Sequence, residues 1–232
     1  MSLADFQTAV DSSYRAFMGG TELDQVRAGD TLLKQYSEPV EIGRNKWVDP
    51  AATSLSNYAA NYGVNGAGNI TIQTGATPFD AVNTYVRMTW TQSATSKDGP
   101  WGYRGVGAGR VTELAATGTT ISVYARPSVT KTLRIQTNAQ HAGQLTACPA
   151  NAWTRVTLTV IPGTSASYDF RVYAHGDTDA WQAGQTLDVT AVMVKDGTTL
   201  SPFFTPGLTP PDTFAVWSGP VNASPSILYG WP

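Results

Sequence analysis

The chain has 232 residues, with 15 Lys and Arg against 17 Asp and Glu, a formal net charge of −2. The charged fraction is 14%, well below the usual ~25%. No basic field exists to attract nucleic acid or an anionic membrane surface, so neither is expected as a partner. The single cysteine, Cys148, cannot form an internal disulfide and reads as a small, partly buried apolar residue. Two histidines and one cysteine are too few for a common zinc site.

The first ten residues have neither a basic stretch nor an apolar run of the secretory kind. Synthesis in a host cytoplasm without a signal peptide is therefore expected. No apolar run approaches the ~20 residues of a membrane helix, so no membrane insertion is expected. Residues 3–18 place Leu3, Phe6, Val10 and Phe17 at helical spacing, and Gly19-Gly20 closes the run. Thr21 can cap a second short helix, with Leu23, Val26 and Leu33 continuing the stripe across Gly29-Asp30. Residues 1–41 thus form a helical segment, read either as a docking and oligomerisation element or as a pair packed on its own domain.

From about Ile42 the pattern changes to period two. Ile70 and Ile72 alternate with polar residues, and Val82 to Thr91 reads as a strand. Ile121, Val123 and Ala125 share one face, as do Leu133 and Ile135. The same holds for Val156, Leu158 and Val160, for Phe170, Val172 and Ala174, and for Leu187, Val189 and Ala191. Gly and Pro punctuate the intervals at Gly99-Pro100, Gly118, Pro127, Pro162-Gly163, Gly184 and Gly197. Short strands, regular breaks and no helical pattern between them predict an antiparallel β-sandwich over residues 42–204. The Gly-rich stretch Gly102 to Gly109 is expected at a flexible or bulged strand edge, since no helix follows to make it a phosphate loop.

Residues 205–232 are rich in proline. The tail of the chain also holds Phe203, Phe204, Phe214, Trp217, Tyr229 and Trp231, too many rings for a solvated linker. They predict an extended arm or hairpin, packed on the sandwich or on a partner. Phe214 and Trp217 join Leu3, Phe6, Val10 and Phe17 as candidates for oligomer or docking contacts.

No catalytic motif is present: there is no G-x-S-x-G, H-E-x-x-H or Walker loop. His141 and His175 read as loop residues and not as bases. The informative class is aromatic. Trp101 and Tyr103 follow a turn, beside Arg104 and Asp98, and Trp181 lies in the turn-like stretch Asp177 to Gly184. Flat rings beside hydrogen-bonding groups suit sugar faces, so Trp101, Tyr103 and Trp181 are the candidate glycan contacts, with core packing as the alternative. Trp90 and Trp153 read as core.

Two segments resemble a known family. Gly43 to Gly63 is similar to the opening strand of jelly-roll modules of the carbohydrate-binding type, and Leu187 to Phe204 to their final strand. Pro211-Asp212-Thr213 and Trp217-Ser218-Gly219-Pro220-Val221-Asn222-Ala223-Ser224 resemble the segment following that module in minor tail proteins of phages infecting actinobacteria. The resemblance implies a non-enzymatic, structural tail component located in the virion. It would assemble with other tail proteins and with itself as a homo-oligomer, with a host envelope glycan as a further contact. A carbohydrate-binding adhesin or an accessory carbohydrate-binding module is the alternative. Many such modules hold a structural calcium between a Glu of the opening strand and an Asp of the last. The matching positions here are Thr53 and Asp188, so one carboxylate is missing, Asp188 is the only family-matched metal candidate, and no cofactor is expected beyond that weakened calcium position.

Overall fold

The structure, a computed structural model, describes residues 17–18, 21–22, 25–28, 31–35, 40–61, 68–93, 105–137, 142–161, 166–174, 180–210, 213–218 and 225–230. In chain order the strands are β1 (Phe17–Met18), β2 (Thr21–Glu22), β3 (Gln25–Ala28), β4 (Thr31–Gln35), β5 (Val40–Asn45), β6 (Tyr58–Asn61) and β7 (Gly68–Thr74). There follow β8 (Thr84–Trp90), β9 (Gly105–Leu114), β10 (Thr119–Pro127), β11 (Lys131–Thr137), β12 (Thr146–Cys148) and β13 (Thr154–Val160). The last are β14 (Ala166–Ala174), β15 (Thr186–Asp196), β16 (Thr213–Trp217) and β17 (Ser226–Gly230). All pairs are antiparallel, and two five-stranded sheets, β13-β10-β15-β8-β7 and β12-β11-β14-β9-β6, form a jelly-roll β-sandwich. No helix among the described residues is long and apolar enough to cross a membrane.

Alternation builds the core between the sheets. In β11, Leu133, Ile135 and Thr137 are buried while Thr132, Arg134 and Gln136 face outward. Ile121, Val123 and Ala125 of β10 meet Leu133 and Ile135 of the facing sheet, with Phe170, Val172 and Trp47 filling the same layer. Trp90 lies in it too, as expected. Cys148 is fully buried at its edge, and desolvation pushes its thiol up from the ordinary value. A buried thiol held protonated is unreactive. We expect a thiol-specific reagent to label Cys148 only at denaturant concentrations that unfold the protein; stoichiometric labelling of the native protein would contradict this burial.

β15 is buried almost throughout, because both of its faces are covered. Its register against β10 shifts between Ser122 and Tyr124, where Ala191 adopts a left-handed φ of 51°. This bulge inserts one extra residue. Ala191 therefore joins Met193 on the outer face instead of continuing the Leu187–Val189 face, as the plain alternation had it. There they meet Phe203, Phe204 and Leu228, with Phe79, Tyr124, Leu208 and Ala215 around them, in a second apolar core. The aromatic arm is folded back onto its own sandwich. Its strands pair onward to β5, with a register shift between Leu228 and Tyr229, giving a three-stranded sheet β16-β17-β5. Arg155 fastens the start of the arm, donating to the Ser201 carbonyl at 2.7 Å and to Ser122 Oγ at 3.0 Å.

Two expectations change. The second helical piece after Thr21 is absent: β1 pairs with β2 across residues 19–20, and β3 with β4 across residues 29–30. Gly-Gly and Gly-Asp between short runs are two-residue hairpin signals, and they outweigh a short helical stripe. Of the helix expected over residues 3–18, residues 3–16 lie outside the described residues, and Phe17–Met18 are strand β1 and not helix. The Gly-rich stretch is not an edge either, since β9 lies between β14 and β6, although its register with β14 is bulged.

Candidate functional site

Trp101 and Tyr103 lie outside the described residues, as do Leu3, Phe6, Val10, His141 and His175. Phe17 lies in β1. Trp181 is described, and its assignment as a glycan contact is corrected. The ring is 0% exposed and stacks on Trp90 with centroids 4.1 Å apart and planes 10° from parallel. Lys131 Nζ lies 5.1 Å from the Trp181 ring centroid and donates to the Ala180 carbonyl at 3.2 Å. A turn-like sequence around a tryptophan does not keep it at the surface when another indole, ninety residues earlier in the chain, offers a stacking partner.

Asp188 lies on the outer face of the arm-covered sheet, 2% exposed, between two arginines. Registry places Arg126, Asp188 and Arg87 directly across from one another on β10, β15 and β8. Arg87 bonds Oδ1 at 2.7 Å and Oδ2 at 2.9 Å, while Arg126 bonds Oδ2 through Nη2 at 2.8 Å and Nε at 3.0 Å. The hydrogen bond to Asp188 raises the Arg87 guanidinium above its ordinary value. Arg126 is in turn held between the rings of Tyr85 and Trp153, at 4.8 and 4.5 Å. Trp153, expected in the core, is instead half-buried, as a lid on this cation. The second family-matched position, Thr53, donates its hydroxyl to Asp49 Oδ1 at 2.8 Å. With both oxygens of Asp188 engaged by cations, these residues do not fit a calcium ion. Among the described residues no group of three or more His, Cys, Asp or Glu side chains could hold a metal.

The other sheet differs. The described residues form two apolar cores, one between the sheets and one under the arm, and neither lies on the outer face of β12-β11-β14-β9-β6. That face carries the polar half of two alternating strands. Arg134 stands opposite Tyr173, and Gln136 opposite Arg171. The Arg134 guanidinium lies 4.9 Å from the Tyr173 ring centroid, and its Nε donates to the Tyr173 hydroxyl, which donates onward to Gln136 Oε1. Desolvation pushes the Tyr173 phenol up from its ordinary value. Burial pulls the Arg171 guanidinium down from its usual value. A flat ring held by a guanidinium, with an amide and a second arginine beside it, can place an apolar surface and fixed hydrogen-bonding groups against a sugar ring. Sequence reading passed over these four residues because its aromatic search settled on tryptophans near turns. The signal available was the outward half of the Leu133–Ile135 and Phe170–Ala174 alternations.

The arm places its two candidate residues differently. Phe214 faces outward and stacks on Tyr229, with centroids 5.3 Å apart. Trp217, at the end of the inward row Thr213, Ala215 and Trp217, is half-buried and lines a cleft against the sandwich.

No protein-family model matches the chain, and no curated protein matches it. Among solved structures, a family 11 carbohydrate-binding module of a cellulosomal cellulase from Clostridium thermocellum is 11% identical over 68% of this chain and 96% of that one, with a TM-score of 0.43. A xylan-binding domain of carbohydrate-binding family 22 is 11% identical over 72% of this chain and 97% of that one, at 0.42. The enzymatically active domain of tailspike protein 4 of bacteriophage CBA120 is 13% identical over 64% of this chain and 21% of that one, at 0.40.

Proposed function

We propose that the chain is a non-enzymatic structural component of a phage tail that contacts host envelope glycan through the outer face of the β12-β11-β14-β9-β6 sheet. The observation that carries the glycan reading is the asymmetry of the sandwich. One sheet is sealed by the chain's own arm, while the other presents Tyr173, Arg134, Gln136 and Arg171 in register. The tail reading rests on the motif in the arm, and exposed apolar side chains on the arm sheet suit docking to other tail proteins or to further copies. These are Val40 and Ile42 on β5, and Phe214 and Val216 on β16.

The test is sedimentation of the purified protein with isolated actinobacterial cell walls. Tyr173→Ala is expected to weaken retention roughly tenfold, as loss of a central aromatic contact does, while a Phe214→Ser variant keeps it. Equal retention by Tyr173→Ala and the parent would remove this face from the site. Gold-labelled antibody on intact particles tests location, and labelling away from the tail would sink the tail reading.

A further inference from the structure

We infer that the cleft where the arm meets the sandwich is a second ligand site, built for a single neutral sugar ring. It lies on the arm-covered side of the molecule and so is separate from the Tyr173 face. Its volume is about 270 Å³, just below the ~300–1,000 Å³ typical of small-molecule sites. That is room for one ring and not for a chain of them.

The lining sets the ligand class. Thr53, Asn83, Thr84, Thr205, Pro206 and Trp217 form most of it, and among the described residues no Asp, Glu, Lys or Arg takes part. An uncharged pocket gives an ionic ligand no counter-charge to replace its lost hydration. Trp217 supplies a half-buried flat wall, reaching the cleft because Ala215, the preceding residue of its inward row, is anchored in the second core. The hydroxyls opposite are already committed as donors: Thr84 to the Ala51 carbonyl at 2.5 Å and Thr53 to Asp49 Oδ1 at 2.8 Å. Both oxygens therefore turn lone pairs to a ligand and accept from it. Asn83 is exposed at the rim and adds amide donors. Ring hydroxyls that donate, beside a C–H face for the indole, complement this arrangement.

The lining loops are each closed by hydrogen bonds of their own. Asp49 closes its loop by accepting from the backbone amides of Thr53 and Ser54, each at 2.8 Å. Thr77 closes the opposite loop, accepting from the Phe79 amide at 3.1 Å and donating to the Val82 carbonyl. The third wall is the turn at Pro206-Gly207, pinned by reciprocal bonds between Thr205 and Leu208 of 3.0 and 2.8 Å. Gly207 sits at a φ of +93°, the left-handed position that a Pro-Gly turn requires of its third residue. Preformed walls reduce the ordering cost of binding a small, weakly held ligand.

The test uses the whole chain and a panel of neutral monosaccharides (glucose, galactose, mannose, rhamnose and N-acetylglucosamine), with glucuronate as the charged control. Ligand-observed NMR at tens of millimolar detects dissociation constants of even ~1 mM or weaker. At least one neutral sugar is expected to bind, and glucuronate is not. Ala81→Trp fills the cleft from an exposed rim position and is expected to weaken binding roughly tenfold or more, as is Trp217→Ala. Phe214→Ser, which lies outside both sites, is expected to leave it unchanged. No response from any neutral sugar, or undiminished binding in a folded Ala81→Trp variant, overturns the proposal. A response lost in Tyr173→Ala and kept in Ala81→Trp places the sugar on the sheet face and also overturns it.

Discussion

Trp181→Ala is expected to destabilise the fold by about 3–5 kcal/mol, the range for truncating a large buried aromatic. In a chain of this size that lowers the melting temperature by on the order of 10 °C. The stack on Trp90 disappears, and Lys131, 6% exposed, loses the ring above its ammonium. A cavity and a cation without its aromatic neighbour therefore arise from one substitution. Calorimetry reads the effect, and glycan retention at a temperature where the variant is folded should equal that of the parent. The opposite pattern, an unchanged melting temperature with lost retention, would return Trp181 to the surface role that its turn-like context suggested.

The second large effect is expected at Asp188. Asp188→Ala leaves two guanidiniums, on the two strands that flank β15, with no carboxylate between them. Breaking a buried ion pair from one side costs about 3–5 kcal/mol. Arg87 is 33% and Arg126 19% exposed, so water recovers part of the loss and the lower end, about 3 kcal/mol, is expected. Chemical denaturation measures it, and a loss below ~1 kcal/mol would mean that the triad is no stronger than a surface pair. The same geometry predicts that millimolar calcium leaves the melting temperature of the parent unchanged, since a ligand bound only by the native state would raise it. A calcium-dependent rise would show that the cation displaces an arginine.

Much of the sandwich was legible in the sequence because period-two alternation is a local signal. The faces formed by Leu133–Ile135, Ile121–Ala125 and Val156–Val160 are the core of the structure. What escaped was non-local. An alanine in a left-handed conformation leaves no mark in composition, so the bulge at Ala191, and the second core that it opens, could not be read. Trp181 was misplaced because its partner Trp90 lies on a distant strand. Gly19-Gly20 was read as a helix stop and Gly29-Asp30 as a break in a helical stripe, whereas the runs on either side of each dipeptide pair as antiparallel strands. At the candidate site the residues were in plain view as the polar half of β11 and β14, but which sheet stays uncovered depends on where the arm docks. The family resemblance pointed to Asp188 as a cation ligand; the two neighbours that claim it, Arg87 and Arg126, lie 101 and 62 residues away along the chain.

The pairing of β17 with β5 sets Gly230 directly across from Val40. Tension applied to the chain through these two residues would act at one end of the antiparallel pair and peel its hydrogen bonds open in sequence, instead of shearing them all together. The β17–β5 pair would then open at a lower force than the same pair loaded in shear, one hydrogen bond at a time.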